Sequence, residues 1–270
     1  MNFDLSEWLN LIVRWFHVIA GISWIGQTYL FNRLDRHMTG AAAGTPEGTS
    51  GQLWMVHGGG FYRVEAQKVP KPIPEDLLWF KWESALTWIS GLLLLIIVYY
   101  MGGLMVEPES SISATTATLC GVGAIVAGVA VYNILWRSPL GKNEPLGAVI
   151  SYFFILAAAW GLTRVMSARA AYIHIGAIFG TIMVTNVWMT ILPGQRQMIA
   201  ARKAGLEPDY ALGARGKRCS KHNTSMSVPL IFLMISSHFP TATYGSQYSW
   251  QILGALVLAG WVAAKIMRDF

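Results

Sequence analysis

An all-α bundle of about seven membrane-spanning helices is the fold this sequence predicts, and three observations carry that reading. Hydrophobic residues make up 54% of the 270 positions and charged ones only 13%, about half the charged share of a soluble domain. The apolar residues fall into runs close to the ~20 residues that cross a bilayer: Trp8 to Phe31, Trp82 to Met105, Ala114 to Trp136, Leu146 to Leu162, Ala170 to Leu192, Met226 to Phe239 and Tyr248 to Lys265. Third, the Lys and Arg residues gather on alternate connections, all 20 except Arg14, Arg164 and Arg169 lying in 32–81, in 137–142, in 196–221 or at Lys265 and Arg268. Basic loops stay on the inner side. The N-terminus is therefore expected in the periplasm and the C-terminus in the cytoplasm, as in a multi-pass protein of the bacterial inner (cell) membrane. The net charge of +6 is then a topology signal, so the lipid bilayer is an expected partner and nucleic acid is not.

Taken in order, the first span follows Asp4 and Glu7 with no basic segment and no small-residue cleavage pattern, so it is expected to stay in the mature chain. Residues 39–81 form a Gly/Pro-containing cytoplasmic connector within one integral membrane domain, 1–270. In it Thr39 to Gly51 is rich in small residues and is expected to be flexible, whereas Val69 to Pro74 is stiffened by three prolines that each fix φ. Between them Leu53 to Val64 is apolar, Gly-rich and too short to span. It is expected as an ordered loop at the interface or dipping into the bundle. The sixth span is the shortest and contains Pro229; its start moves toward His222 if polar residues are admitted. Cys120 falls in a span and Cys219 in a basic loop, so no disulfide between them is expected, and neither has the Cys-x-x-Cys-His context of a covalently attached haem.

Histidines inside or beside spans are the first candidates for chemistry. His17, about nine residues into its span, lies some 13 Å along the helix, and His174 enters the fifth span from the same side. Two histidines at comparable depth can hold the iron of a haem b; alternatively each hydrogen-bonds a neighbouring helix. His238 is a substitute ligand, and Arg14 either snorkels or meets a propionate. At the other side His57, Lys81, Glu83, Arg196, His222 and Asn223 fall at span ends, where they are expected to share one mouth. Lys81 and Glu83, two apart, do not face one another on a helix. A purine anion needs a cation such as Lys81 or Arg196, polar groups such as Asn223 and Tyr62, and an aromatic face such as Trp82. Interfacial anchoring equally explains Lys81, Trp79 and Trp82. It does not explain His57 followed by Gly58, Gly59 and Gly60.

The run from Trp54 through His57-Gly58-Gly59-Gly60-Phe61-Tyr62 to Trp79-Phe80-Lys81-Trp82-Glu83 resembles the membrane domain of the bacterial membrane-bound, cytochrome-linked urate hydroxylases. So do Trp15-Phe16-His17 with Gly21, Trp24 and Gly26, and His222-Asn223. The resemblance implies oxidation of urate to 5-hydroxyisourate in purine catabolism, with electrons passed to a cytochrome c and not to dioxygen. It also implies an eighth helix leading to a fused cytochrome domain. This sequence stops after about seven, so a separate periplasmic cytochrome c is expected. His57 or His222 is the expected general base, with Tyr62, Lys81, Trp82, Glu83, Arg196 and Asn223 around the substrate. The first span is also similar to the opening helix of HemJ-type protoporphyrinogen oxidases, which favours haem b on His17 and His174 and supplies a second enzymatic reading. A non-enzymatic transporter is the third; scattered methionines and the lack of a His-rich tract count against copper.

Overall fold

Helix α1, Leu5–His37, starts where the Asp4 carboxylate accepts the backbone N–H groups of Ser6 and Glu7, a cap that offsets the orphan donors of a first turn. The computed structural model describes residues 4–38, 49–67 and 73–269. The expected flexibility of 39–48 and the proline stiffening at 69–72 lie outside the described residues. Then follow strands β1, Thr49–His57, and β2, Gly60–Gln67, and helices α2, Trp82–Leu94, α3, Ala114–Arg137, α4, Glu144–Val165, α5, Ala168–Asn186, α6, Leu192–Lys203, α7, Tyr210–Ile235, and α8, Ser249–Asp269. Ser113, Asn143, Ser167 and Asp209 cap α3, α4, α5 and α7 with side-chain acceptors. Among the described residues six helical stretches are long and apolar enough to cross a membrane.

Two helices run on through wider π-helical turns: α2 continues as Leu95–Tyr100, and α5 passes through Val187–Ile191 into α6. The second case has a local cause. Pro193 has no N–H and its ring crowds the carbonyl one turn back, which made Leu192 the expected end of the fifth span. The π turn widens the backbone just before it, and the helix continues to Lys203.

The sixth expected span is longer and more polar than its hydropathy announced. α7 begins at Tyr210 and carries His222, Asn223, Thr224, Ser225 and Ser227 along its middle. Even so it passes through the bundle. Asn223 meets α5 at Asn186 while Leu233 and Met234 flank Gly176, so α7 runs antiparallel to α5. The end of α1 lies by the end of α8, where Arg36 donates to the Arg268 carbonyl at 3.5 Å. Two ends at one face require an even number of crossings between them, which α2, α3, α4, α5, α7 and α8 supply. The helix ends that carry most of the basic residues thus share one end of the bundle, with Arg164 and Arg169 at the α4–α5 junction on the other.

α5 is the axis. Tyr172, His174, Ile175 and Phe179 are at most 2% exposed, whereas the outer helices turn Trp15, Ile22, Leu119 and Phe153 outward, as a hydrocarbon surround requires. Close approaches fall at glycines: a Cβ on Gly260 of α8 would stand 2.9 Å from Pro229 of α7, and one on Gly254 would stand 2.3 Å from Leu156 of α4.

The segment expected as an irregular loop is a β-hairpin, the one departure from an all-α chain among the described residues. β1 and β2 pair antiparallel with His57 opposite Gly60, and Gly58 and Gly59 form the turn at φ +58° and +79°. Two positive φ angles are the pattern of a type I′ turn, whose twist matches that of the strands. Alternating Trp54, Val56 and Phe61 line one exposed face, and neither strand makes more than marginal contact with a helix.

Candidate active site at the basic end

Polar side chains inside a helical bundle are costly unless partnered, so their partners trace what the bundle is built around. Gln27 of α1 donates to Glu83 Oε1 of α2 at 3.1 Å. Asn32 donates to Thr224 Oγ1 at 3.0 Å, and the Tyr29 hydroxyl meets Ser227 Oγ at 3.3 Å, tying α1 to α7. Asn223 of α7 donates to the Met183 carbonyl of α5 at 3.0 Å and accepts from Asn186 Nδ2 at 2.9 Å. Just beyond Asn186, Trp188 donates to Ser84 of α2 at 3.2 Å. These bonds close a ring through α1, α7, α5 and α2. Such bonds in membrane bundles stabilise by about 0.6 kcal/mol on average, so a ring of them sets helix positions more than it sets overall stability.

Within the ring one group is left over. Glu83 Oε2 is buried and has no hydrogen-bond partner among the described residues. A buried acceptor without a donor costs about 1–3 kcal/mol, more when charged, so this oxygen is poised to receive an N–H or a proton. At the same end of the bundle, Lys81 Nζ stands 5.5 Å from the Trp82 ring centroid, Trp82 meets Trp188 edge-on at 5.7 Å, and Arg196 sits 5.9 Å over Trp79. Lys81, Trp82, Glu83, Arg196 and Asn223 thus fall at one end of the bundle, with the Lys81 cation beside the Trp82 ring.

His222 faces a second space. Its Nδ1 lies 2.8 Å from the Tyr132 hydroxyl, whose oxygen accepts from Asn186 at 2.9 Å. When the phenol donates to the imidazole Nδ1, the ring's own proton sits on Nε2. The ring packs on Trp136 with centroids 4.1 Å apart. His57 and Tyr62 join neither group: both are exposed on the hairpin, and His57 stands at its turn. Gly58 and Gly59 serve that turn and Gly60 opens β2, so the expected single mouth shared by His57 and His222 is not formed.

His17 and His174 each follow the hydrogen-bonding alternative. His17 Nδ1 is 3.0 Å from the Thr87 carbonyl and 3.0 Å from Ser90 Oγ on α2. His174 Nδ1 is 2.8 Å from the Ala170 carbonyl, and its Nε2 is 3.2 Å from the Tyr100 hydroxyl. A carbonyl on Nδ1 fixes the tautomer that leaves Nε2 unprotonated, which is the chemistry of a metal-ligating histidine. The space does not match it. His17 lies along Gly91 of α2, and His174 Nε2 points at Gly121 of α3, 2.4 Å from where a Cβ would sit. The points where the two rings touch α2, Gly91 and Tyr100, are nine residues or about 13 Å apart. As packed, the rings do not share a space for one porphyrin. His238 is exposed beyond the end of α7, and Arg14 donates to Asn10 on the surface of α1.

Gln27, Tyr29, Asn32, Tyr132, Asn186 and Trp188 escape a reading centred on histidines and glycines. Their signal is present all the same: amides, phenols and an indole in or at the ends of apolar runs, each within about three turns of a basic residue.

A bundle of this kind, its polar groups drawn to one end and its apolar surface turned outward, defines a multi-pass helical membrane protein. Within that class the chain belongs to the urate oxidase N-terminal family, whose model matches residues 4–269. No curated protein and no solved structure matches it.

Proposed function

We propose that the protein is a bacterial inner-membrane oxidoreductase that takes two electrons from urate, giving 5-hydroxyisourate, with the substrate held at the hydrogen-bonded ring of α1, α2, α5 and α7. The observation that carries this reading is the unpartnered carboxylate oxygen of Glu83, enclosed by that ring in a chain of a urate oxidase family. Urate is a planar anion with N–H groups around its edge. Lys81 supplies the opposite charge, Trp82 an aromatic wall, and Glu83 Oε2 an acceptor that takes a proton as electrons leave. Water then adds at C5. Asn223 and Asn186 have their amides bonded to one another and to Met183 and Tyr132, so they position the ring and do not bind substrate.

In this reading Glu83 is the general base expected earlier of His57 or His222. A positioned base contributes about 10²–10⁴-fold. Glu83→Gln should therefore lower kcat for urate-dependent reduction of an electron acceptor at least 100-fold, in membranes containing equal amounts of protein. Turnover within threefold of the parent would overturn the assignment. The resemblance implies a cytochrome c, supplied separately, as the eventual acceptor; no step is routed through haem. A reporter fused at the C-terminus should read cytoplasmic, and a periplasmic reading would invert the bundle.

A further inference from the structure

Beside the polar ring, α3, α4, α7 and α8 surround a cleft of 540 Å³ floored by α5. Its walls are almost wholly apolar, among them Ala148, Ile155, Ile178 and Phe179, and Phe154, half-exposed on the outside of the bundle, stands at its edge. Urate would find few hydrogen-bonding partners along such walls. A chain of isoprene units would find a dry slot reached from the hydrocarbon.

The cleft nevertheless has a polar end. His222 lines it, and in the tautomer that accepts from Tyr132 its Nε2–H is a donor with no acceptor among the described residues. Trp261, also lining it, has a buried indole N–H without a partner. The rim holds the ion pair of Lys221 with Glu144, together with Lys265 and Arg268. Lys265 adds a cation beside this ion pair, which favours an electron arriving on a nearby carbonyl oxygen. From His222 the contacts run through Tyr132 and Asn186 to Asn223, each between 2.8 and 2.9 Å, so the cleft and the substrate ring are joined by one hydrogen-bonded line.

We infer that this cleft binds an isoprenoid quinone, with its tail along the apolar walls and a ring carbonyl accepting from His222 Nε2–H, and that this quinone is the immediate electron acceptor. The inference rests on the urate reading for its electron donor. Urate gives up two electrons and, with the water whose oxygen bonds to C5, two protons. The quinone gains two electrons and two protons and becomes the quinol. The first proton comes from His222 Nε2 as Tyr132 refills Nδ1 and rim water restores the phenol; the second comes from rim water.

The test uses the full chain in lipid nanodiscs. An azido-ubiquinone analogue should label peptides of α3, α4, α7 or α8 that line the cleft, and excess decylubiquinone should suppress the label. Labelling elsewhere, or suppression by anionic phospholipid but not by decylubiquinone, would overturn quinone binding in favour of a lipid site. For the redox step, urate-dependent reduction of decylubiquinone and of ferricyanide are measured in parallel. His222→Gln and Ala148→Phe should each lower the quinone-linked rate at least tenfold more than the ferricyanide-linked rate. Equal losses with both acceptors would overturn the cleft as the electron exit. If urate reduces neither acceptor in the parent protein while the cleft is still labelled, the substrate reading fails and quinone binding stands.

Discussion

The hairpin and the polar ring sit at opposite poles of conspicuousness. The hairpin holds the most quotable string in the sequence, His57-Gly58-Gly59-Gly60, and its glycines are accounted for by a two-residue turn with positive φ at both positions. The ring is written in single residues scattered from Gln27 to Ser227, none of which stands out alone. A glycine run reports what the backbone must do, and a lone amide inside an apolar helix reports what another helix must supply. The second kind of signal lies closer to the chemistry here.

The largest effect that separates the two regions is on turnover. Glu83→Gln should cost at least 100-fold in kcat for urate, whereas His57→Ala should change it less than threefold; a reversed order, read by acceptor reduction at matched protein levels, would return the site to the hairpin. Next, Lys81→Ala should raise KM about tenfold with kcat little altered, because a cation that meets the substrate anion before and during the reaction contributes uniform binding. A selective fall in kcat would make Lys81 part of the chemistry instead. Third comes packing: Gly121→Ala puts a methyl 2.4 Å from His174 Nε2, and overpacking of this kind costs about 1–3 kcal/mol. Thermal unfolding in detergent should show a clear drop in Tm. The smallest effect belongs to the turn, where Gly59→Ala strains a residue at φ +79° by about 1–2 kcal/mol. It should loosen the hairpin to limited proteolysis and leave urate turnover within twofold.

Much of the bundle was legible because hydropathy averages over a whole span. α2, α3, α4 and α8 begin within a few residues of the expected runs. The reading faltered where a helix outlasts its apolar stretch. α7 carries its polar residues on buried positions, since Asn223, Thr224 and Ser227 find partners on α5 and α1, and no average over residues anticipates a partner on another helix. The candidate site was half legible for the same reason. Charged and aromatic residues at span ends pointed to Lys81, Trp82, Glu83 and Arg196, whereas Tyr132 and Asn186 gain their meaning from contacts 54 and 90 positions away in the chain. Leu53 to Val64 was misread because glycine and apolar residues without strict alternation suit both a loop and an exposed hairpin.

The π-helical turn at Val187–Ile191 sets a phase. An α-helix advances each residue by about 100°, and one residue more or fewer in this turn swings everything beyond it by that amount. Asn186, before the turn, is locked to α7; Arg196, after it, lies over Trp79. The two can hold these bearings at once only with the extra residue in place. This turn is therefore the vernier that aligns the inner half of the long helix with its basic end, and losing a single residue there would aim the guanidinium of Arg196 away from Trp79 while leaving every helix of the bundle standing.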